Sequence, residues 1–139
     1  MTDSDLSRKR RELVRQGAIE ERLEDLSGIQ DGWLDGEGLA LTKPALELAG
    51  NVLERLVSDL DVAMPRIYPT PEGGVQAEWI LGDWGVDVTF APEGKVFTAA
   101  ATNASTREGT STTYFEANEH LDVYVVALTD WLKELASSV

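Results

Sequence analysis

The chain has 139 residues, no cysteine, 42% hydrophobic residues and a formal net charge of −13 at pH 7. That length suits one domain with a real core, and the missing thiols exclude disulfides, zinc ribbons and thiol catalysis. The acidity argues against direct nucleic-acid binding, because phosphate contacts need Lys and Arg.

No apolar run approaches a membrane span, and residues 1–12 hold no signal-peptide core. A cytoplasmic protein with no membrane partner is expected. The charge is uneven. Residues 1–30 carry six basic and seven acidic side chains, net −1; of the 12 and 25 in the chain this leaves six and eighteen, net −12, for residues 31–139. The division is read as a charged N-terminal helix, residues 1–30, ahead of a single α+β domain, residues 31–139. The acidic body is read as a solubility surface, or as a face for a basic partner or nucleic-acid mimicry.

Residues 5–26 read as the first helix, with Leu6, Leu13, Val14, Ile19, Leu23 and Leu26 as apolar positions and Ser4 or Asp5 as cap. Gly17 interrupts it at about 1 kcal/mol against alanine. The basic run from Ser7 to Arg11 reads as a solvated helix end rather than a nucleic-acid arm. So thin a stripe suits packing on a second copy or a partner as well as on the chain's own sheet.

Residues 27–39 form a turn-rich loop with Asp31-Gly32 and Asp35-Gly36. Asp31, Asp35 and Glu37 do not match a calcium loop: counted from Asp31, the third position is Trp33 and the twelfth is Thr42. Trp33 is expected to cover the base of the core. Thr42 caps the second helix, with Pro44 in its first turn and Leu41 and Leu46 as a hydrophobic staple. Its core stripe is read as Leu46, Ala49, Leu53, Leu56, Val57 and Leu60.

Residues 66–70 form an edge strand, because Pro65 and Pro69 cannot donate to a ladder. Its register is not fixed. After the Pro71-Glu72-Gly73-Gly74 turn, Val75, Ala77, Trp79 and Leu81 alternate with Gln76, Glu78 and Ile80. A Gly82-Asp83-Trp84-Gly85 loop then leads to Val86, Val88 and Phe90 on the same face. Pairing Leu81 with Val86 would set Trp79 opposite Val88 and Glu78 opposite Thr89, with Glu78 and Asp87 diagonal on the outer face. A turn at Glu93-Gly94 pairs Phe90 with Phe97 and puts Ala99 and Ala101 on the core face. Residues 103–111 read as a mobile polar loop and residues 112–116 as a candidate fifth strand. A final helix capped by Asn118 carries Leu121, Tyr124, Val125, Leu128, Leu132 and Leu135.

The fold expected is an α+β two-layer sandwich. Its antiparallel meander has four or five strands, with helices on the Trp79 face, in the order α-α-β-β-β-β-(β)-α.

Catalytic signatures are missing. His120, the single histidine, comes with no nucleophile that the sequence gives reason to set beside it, and no phosphate-cradling glycine motif occurs. Glu78 and Asp87 fit a solvated sheet face better than a general acid and base. No metal and no cofactor is expected. Trp84, in a hairpin loop, reads either as an exposed interface anchor or as packing back on the meander.

The spacing Leu23-x-x-Leu26-x-x-Ile29-x-Asp31-Gly32-Trp33, a Leu- and Ala-bearing helix and then PTPEGGVQAEW resembles a loose group of small, largely uncharacterised bacterial proteins. These pair a DGW element with such a hairpin. The resemblance spans roughly residues 20–90 and implies a small α+β protein, with no reaction attached.

The functional expectation is a non-enzymatic cytoplasmic interaction module, antitoxin-, immunity- or adaptor-like, with a basic protein partner. Its candidate contact residues are Trp84, Asp83, Ile80, Glu78, Asp87 and Trp33. The alternative is a small-ligand or metal-binding domain, or a weak hydrolase, using Glu78, Asp87 and the 31–37 loop. A third reading is a homodimer joined through residues 5–26.

Overall fold

Helix α1 runs from Asp3 to Ser27 because Thr2 caps it. The computed structural model describes residues 2–59, 64–109, 113–116 and 121–137. The Asp5 amide donates to Thr2 Oγ1 at 3.2 Å, and the Thr2 amide returns a bond to Asp5 Oδ2 at 3.3 Å. This reciprocal capping box satisfies two donors that a helix start leaves open, so the cap is Thr2, not Ser4 or Asp5. The Thr2 hydroxyl, which donates to Asp5 Oδ2 at 2.9 Å, then the Thr2 amide, helped by Arg8, hold the Asp5 carboxyl below the usual carboxylate range.

Helix α2 (Lys43–Asp59) begins as expected, with the Ala45 amide donating to Thr42 Oγ1 at 3.1 Å. Its buried stripe is rotated from the one read in the sequence. Ala45, Leu48 and Val52 join Ala49, Leu53, Leu56 and Val57, while Leu46 is only half-buried. Leu60, and likewise Asn118 and His120, lie outside the described residues.

Five strands follow: β1 (Arg66–Pro69), β2 (Val75–Leu81), β3 (Trp84–Phe90), β4 (Val96–Asn103) and β5 (Thr113–Glu116), then helix α3 (Leu121–Ser137). Each strand pairs antiparallel with its neighbour in sequence, so the sheet order is β1-β2-β3-β4-β5. Phe90 and Phe97 are register partners, with ring centroids 5.6 Å apart.

The β2–β3 register corrects the expectation. Leu81 pairs with Trp84, Trp79 with Val86, and Glu78 with Asp87. The loop shrinks to Gly82-Asp83, with Gly82 at φ 63°. A two-residue turn with glycine at positive φ in its first central position follows the twist of the strands it joins. A slip of two residues leaves every side chain on its expected face, so the apolar alternation survives.

The core lies between one face of this sheet and the helices. Val75, Ala77, Trp79, Leu81, Val86, Val88, Phe90, Phe97, Ala99 and Ala101 supply the sheet side. Helix α3 adds Val125, Leu128, Leu132 and Leu135, with Leu121 and Tyr124 half-buried beside them. Helix α1 lies along α2 and reaches β1. Its second half belongs to the same core through Ile19, Leu23 and Leu26. The Arg22 guanidinium also donates twice to the Ile67 carbonyl, at 3.0 and 2.9 Å. A boundary at residue 30 therefore divides charge, not packing.

Candidate functional site

The helices occupy one face of the sheet, so the other face presents the alternate side chains. On β2 these are Gln76, Glu78 and Ile80; on β3, Asp87 and Thr89; on β4, Thr98, Ala100 and Thr102. Ile80 stands 66% exposed. The register that sequence left open for β1 places Arg66 opposite Glu78, which in turn lies opposite Asp87. One cation and two carboxylates thus share a row across three strands. Two like charges directly opposed on adjacent strands are unfavourable by a few tenths of a kcal/mol or more. Asp87 Oδ1 accepts a bond from Gln76 Nε2 at 3.1 Å.

Of the six contact residues expected from sequence, three are gathered here: Glu78, Ile80 and Asp87. Asp83 adjoins them in the exposed turn at the end of β2 and β3, where its carbonyl accepts the Ala104 amide at 2.8 Å. Trp84 does not join the patch. It is the first residue of β3 and packs, partly buried, against the core. Its parity with Val86, Val88 and Phe90 turns it inward, so the packing-back reading holds and the exposed-anchor reading does not.

Trp33 is also elsewhere. Its Nε1 donates to the Leu39 carbonyl at 2.9 Å, and its indole lies so close to Gly38 that an added Cβ there would meet Nε1 at 2.9 Å. The ring organises its own loop and is not among the residues packed on the core cluster. That loop is stitched to the sheet. The Leu39 amide donates to Pro71 O at 2.9 Å, Thr42 N to Gly73 O at 3.0 Å, and Thr42 Oγ1 to Pro92 O. Asp31 Oδ1 accepts the Ala40 amide at 2.8 Å, which occupies it structurally. The DGW element and the PTPEGG turn are therefore neighbours, joined through residues 39–42. They sit at the opposite end of β2 from Asp83, separated by roughly 20 Å of strand.

Among the described residues no group of three His, Cys, Asp or Glu side chains comes close enough to hold a metal ion. No helix among them is long and apolar enough to cross a membrane.

A carboxyl pair that sequence reading missed joins α1 to α2. Burial, then a hydrogen bond to Glu20 and the Glu20 charge, push the Glu54 carboxyl above its ordinary value of 4.5. A folded-state value above the unfolded one means that the fold favours the protonated form. That stabilisation is complete below the ordinary value and is lost as pH rises through the raised one. Glu54→Gln, which keeps a neutral group beside Glu20, is expected to raise the melting temperature at pH 7 and to match the parent at pH 4. Because Glu20 is exposed, the gain should stay under about 1 kcal/mol. Melting curves of both proteins across this range check it.

The other feature missed is the azimuth of α1. Leu6, Leu13 and Val14 are 48, 60 and 68% exposed, whereas Ile19, Leu23 and Leu26 are buried. At about 100° per residue the two sets lie on nearly opposite sides of the helix. One thin stripe in the sequence is two separate ones, and a helical wheel would have told them apart.

No protein-family model, curated protein or solved structure matches this chain.

Proposed function

We propose that this protein is a non-enzymatic interaction module that receives a basic segment of a protein partner on the open face of its sheet. The observation that carries the reading is the row Arg66–Glu78–Asp87 beside exposed Ile80. Two opposed carboxylates with one cation at the end of the row leave negative charge in excess, and an incoming Lys or Arg would relieve it. Ile80 adds apolar area at the same place. The excess of acidic over basic side chains in residues 31–139 steers such a partner and disfavours acidic ones. An antitoxin, immunity or adaptor role would use such a face.

The test is capture from host lysate with the parent protein and with Glu78→Gln/Asp87→Asn, at low and moderate salt. A basic protein held at low salt, released as salt rises and missing from the variant is the expected result. Equal capture by both proteins overturns the reading.

A further inference from the structure

Helix α1 carries a face that nothing in the described fold covers. Ile19, Leu23 and Leu26 commit one side of it to the core. On the other side, Leu6, Arg10, Leu13, Val14 and Gly17 fall within an arc of about 100° by helical geometry, and the line continues through Glu21 and Glu24. The three apolar members are exposed, and an added Cβ on Gly17 would meet nothing within 4 Å. Glycine inside a helix costs about 1 kcal/mol against alanine, and what it gives in return is close approach of another backbone.

The charges on α1 specify what approaches. In its first part, residues 3–16, Arg8, Lys9, Arg10, Arg11 and Arg15 outnumber Asp3, Asp5 and Glu12; in its second, Glu20, Glu21, Glu24 and Asp25 outnumber Arg22, which is turned to the Ile67 carbonyl. A second α1 laid parallel would set like charge on like. Laid antiparallel, it sets Arg10 across from Glu21 and Val14 across from Gly17, and a two-fold axis repeats each contact.

We infer that α1 is a self-association surface, pairing antiparallel with α1 of a second copy of this chain through Leu6, Leu13, Val14 and Gly17. This surface is separate from the open sheet face, so either reading can fail without the other. A contact confined to one helix pair sits at the small end of specific interfaces, and a dimer that dissociates in the micromolar range is expected.

Sedimentation of the full chain from about 1 to 200 μM in low salt tests it. The parent should shift from monomer to dimer across that range. Leu13→Glu/Val14→Glu should stay monomeric throughout with an unchanged melting temperature, since both positions are exposed. Arg10→Glu should weaken the dimer about tenfold or more, and adding Glu21→Arg to it should restore the association, because the swap rebuilds the pair only in the antiparallel arrangement. A parent that is monomeric at 200 μM overturns the inference, leaving the stripe to a different partner. A dimer that Leu13→Glu/Val14→Glu leaves intact overturns it as well, and failure of the charge swap to restore pairing overturns the antiparallel geometry.

Discussion

Replacing Trp79 with alanine should destabilise the fold by about 3–5 kcal/mol, enough to unfold much of a marginal domain at 37 °C. Trp79 is 1% exposed, lies in the middle of β2 and is among the largest fully buried side chains. Its neighbours are held in two layers and cannot close over the space an indole leaves. The indole also has a flaw. Its Nε1 is buried and finds no hydrogen-bond acceptor among the described residues. Such a donor costs on the order of 1–3 kcal/mol. Trp79→Phe removes that donor together with part of the ring volume, so the two effects oppose each other and the net loss should stay near 1 kcal/mol. Urea unfolding of the three proteins measures the contrast. A phenylalanine variant as unstable as the alanine one would mean that the indole nitrogen has an acceptor, and that losing this bond outweighs the ring volume kept.

The second large effect lies in the turn between β3 and β4. Gly94 adopts φ 73°, and a Cβ built there would lie 2.6 Å from both the Cβ and the carbonyl oxygen of Pro44. No rotamer relieves a clash with backbone and a proline ring. Left-handed strain of about 1–2 kcal/mol adds to an overpacking term of about 1–3 kcal/mol, so Gly94→Ala should cost about 2–5 kcal/mol. Gly36 separates the two terms. It has φ 90° but open space around the added atom, so Gly36→Ala should show the strain alone. Similar losses at the two positions would mean that the start of α2 moves away from the turn with little resistance.

Much of this fold was legible because burial imposes a period. The strict alternation of Val75, Ala77, Trp79 and Leu81 admits one face assignment, and the structure has that face inward. The pairing was harder. A two-residue slip preserves every face, so hydrophobicity could not choose between Leu81–Val86 and Leu81–Trp84. Turn chemistry at Gly82 chose instead, moving Trp84 from loop to strand and inward, and moving Asp87 from diagonal to directly opposite Glu78. Three members of the expected contact set landed together because they share a parity on adjacent strands. Trp33 was misplaced because a ring held by its own loop leaves the same sequence trace as one held by the core. The wrongly merged α1 stripe has a comparable cause. Apolar residues were counted along the helix rather than around it.

The bond from Arg22 to the Ile67 carbonyl bears on how this sheet could grow. β1 and β5 are the two outermost strands. β1 offers little to a strand from another molecule, since Pro69 has no amide hydrogen and the Ile67 carbonyl already serves Arg22. Among the described strands that leaves β5 for copies meeting strand to strand, and two copies joined there have no second such side to offer. Such a contact ends at a pair. Strand addition to the folded sheet is thereby kept from propagating without end.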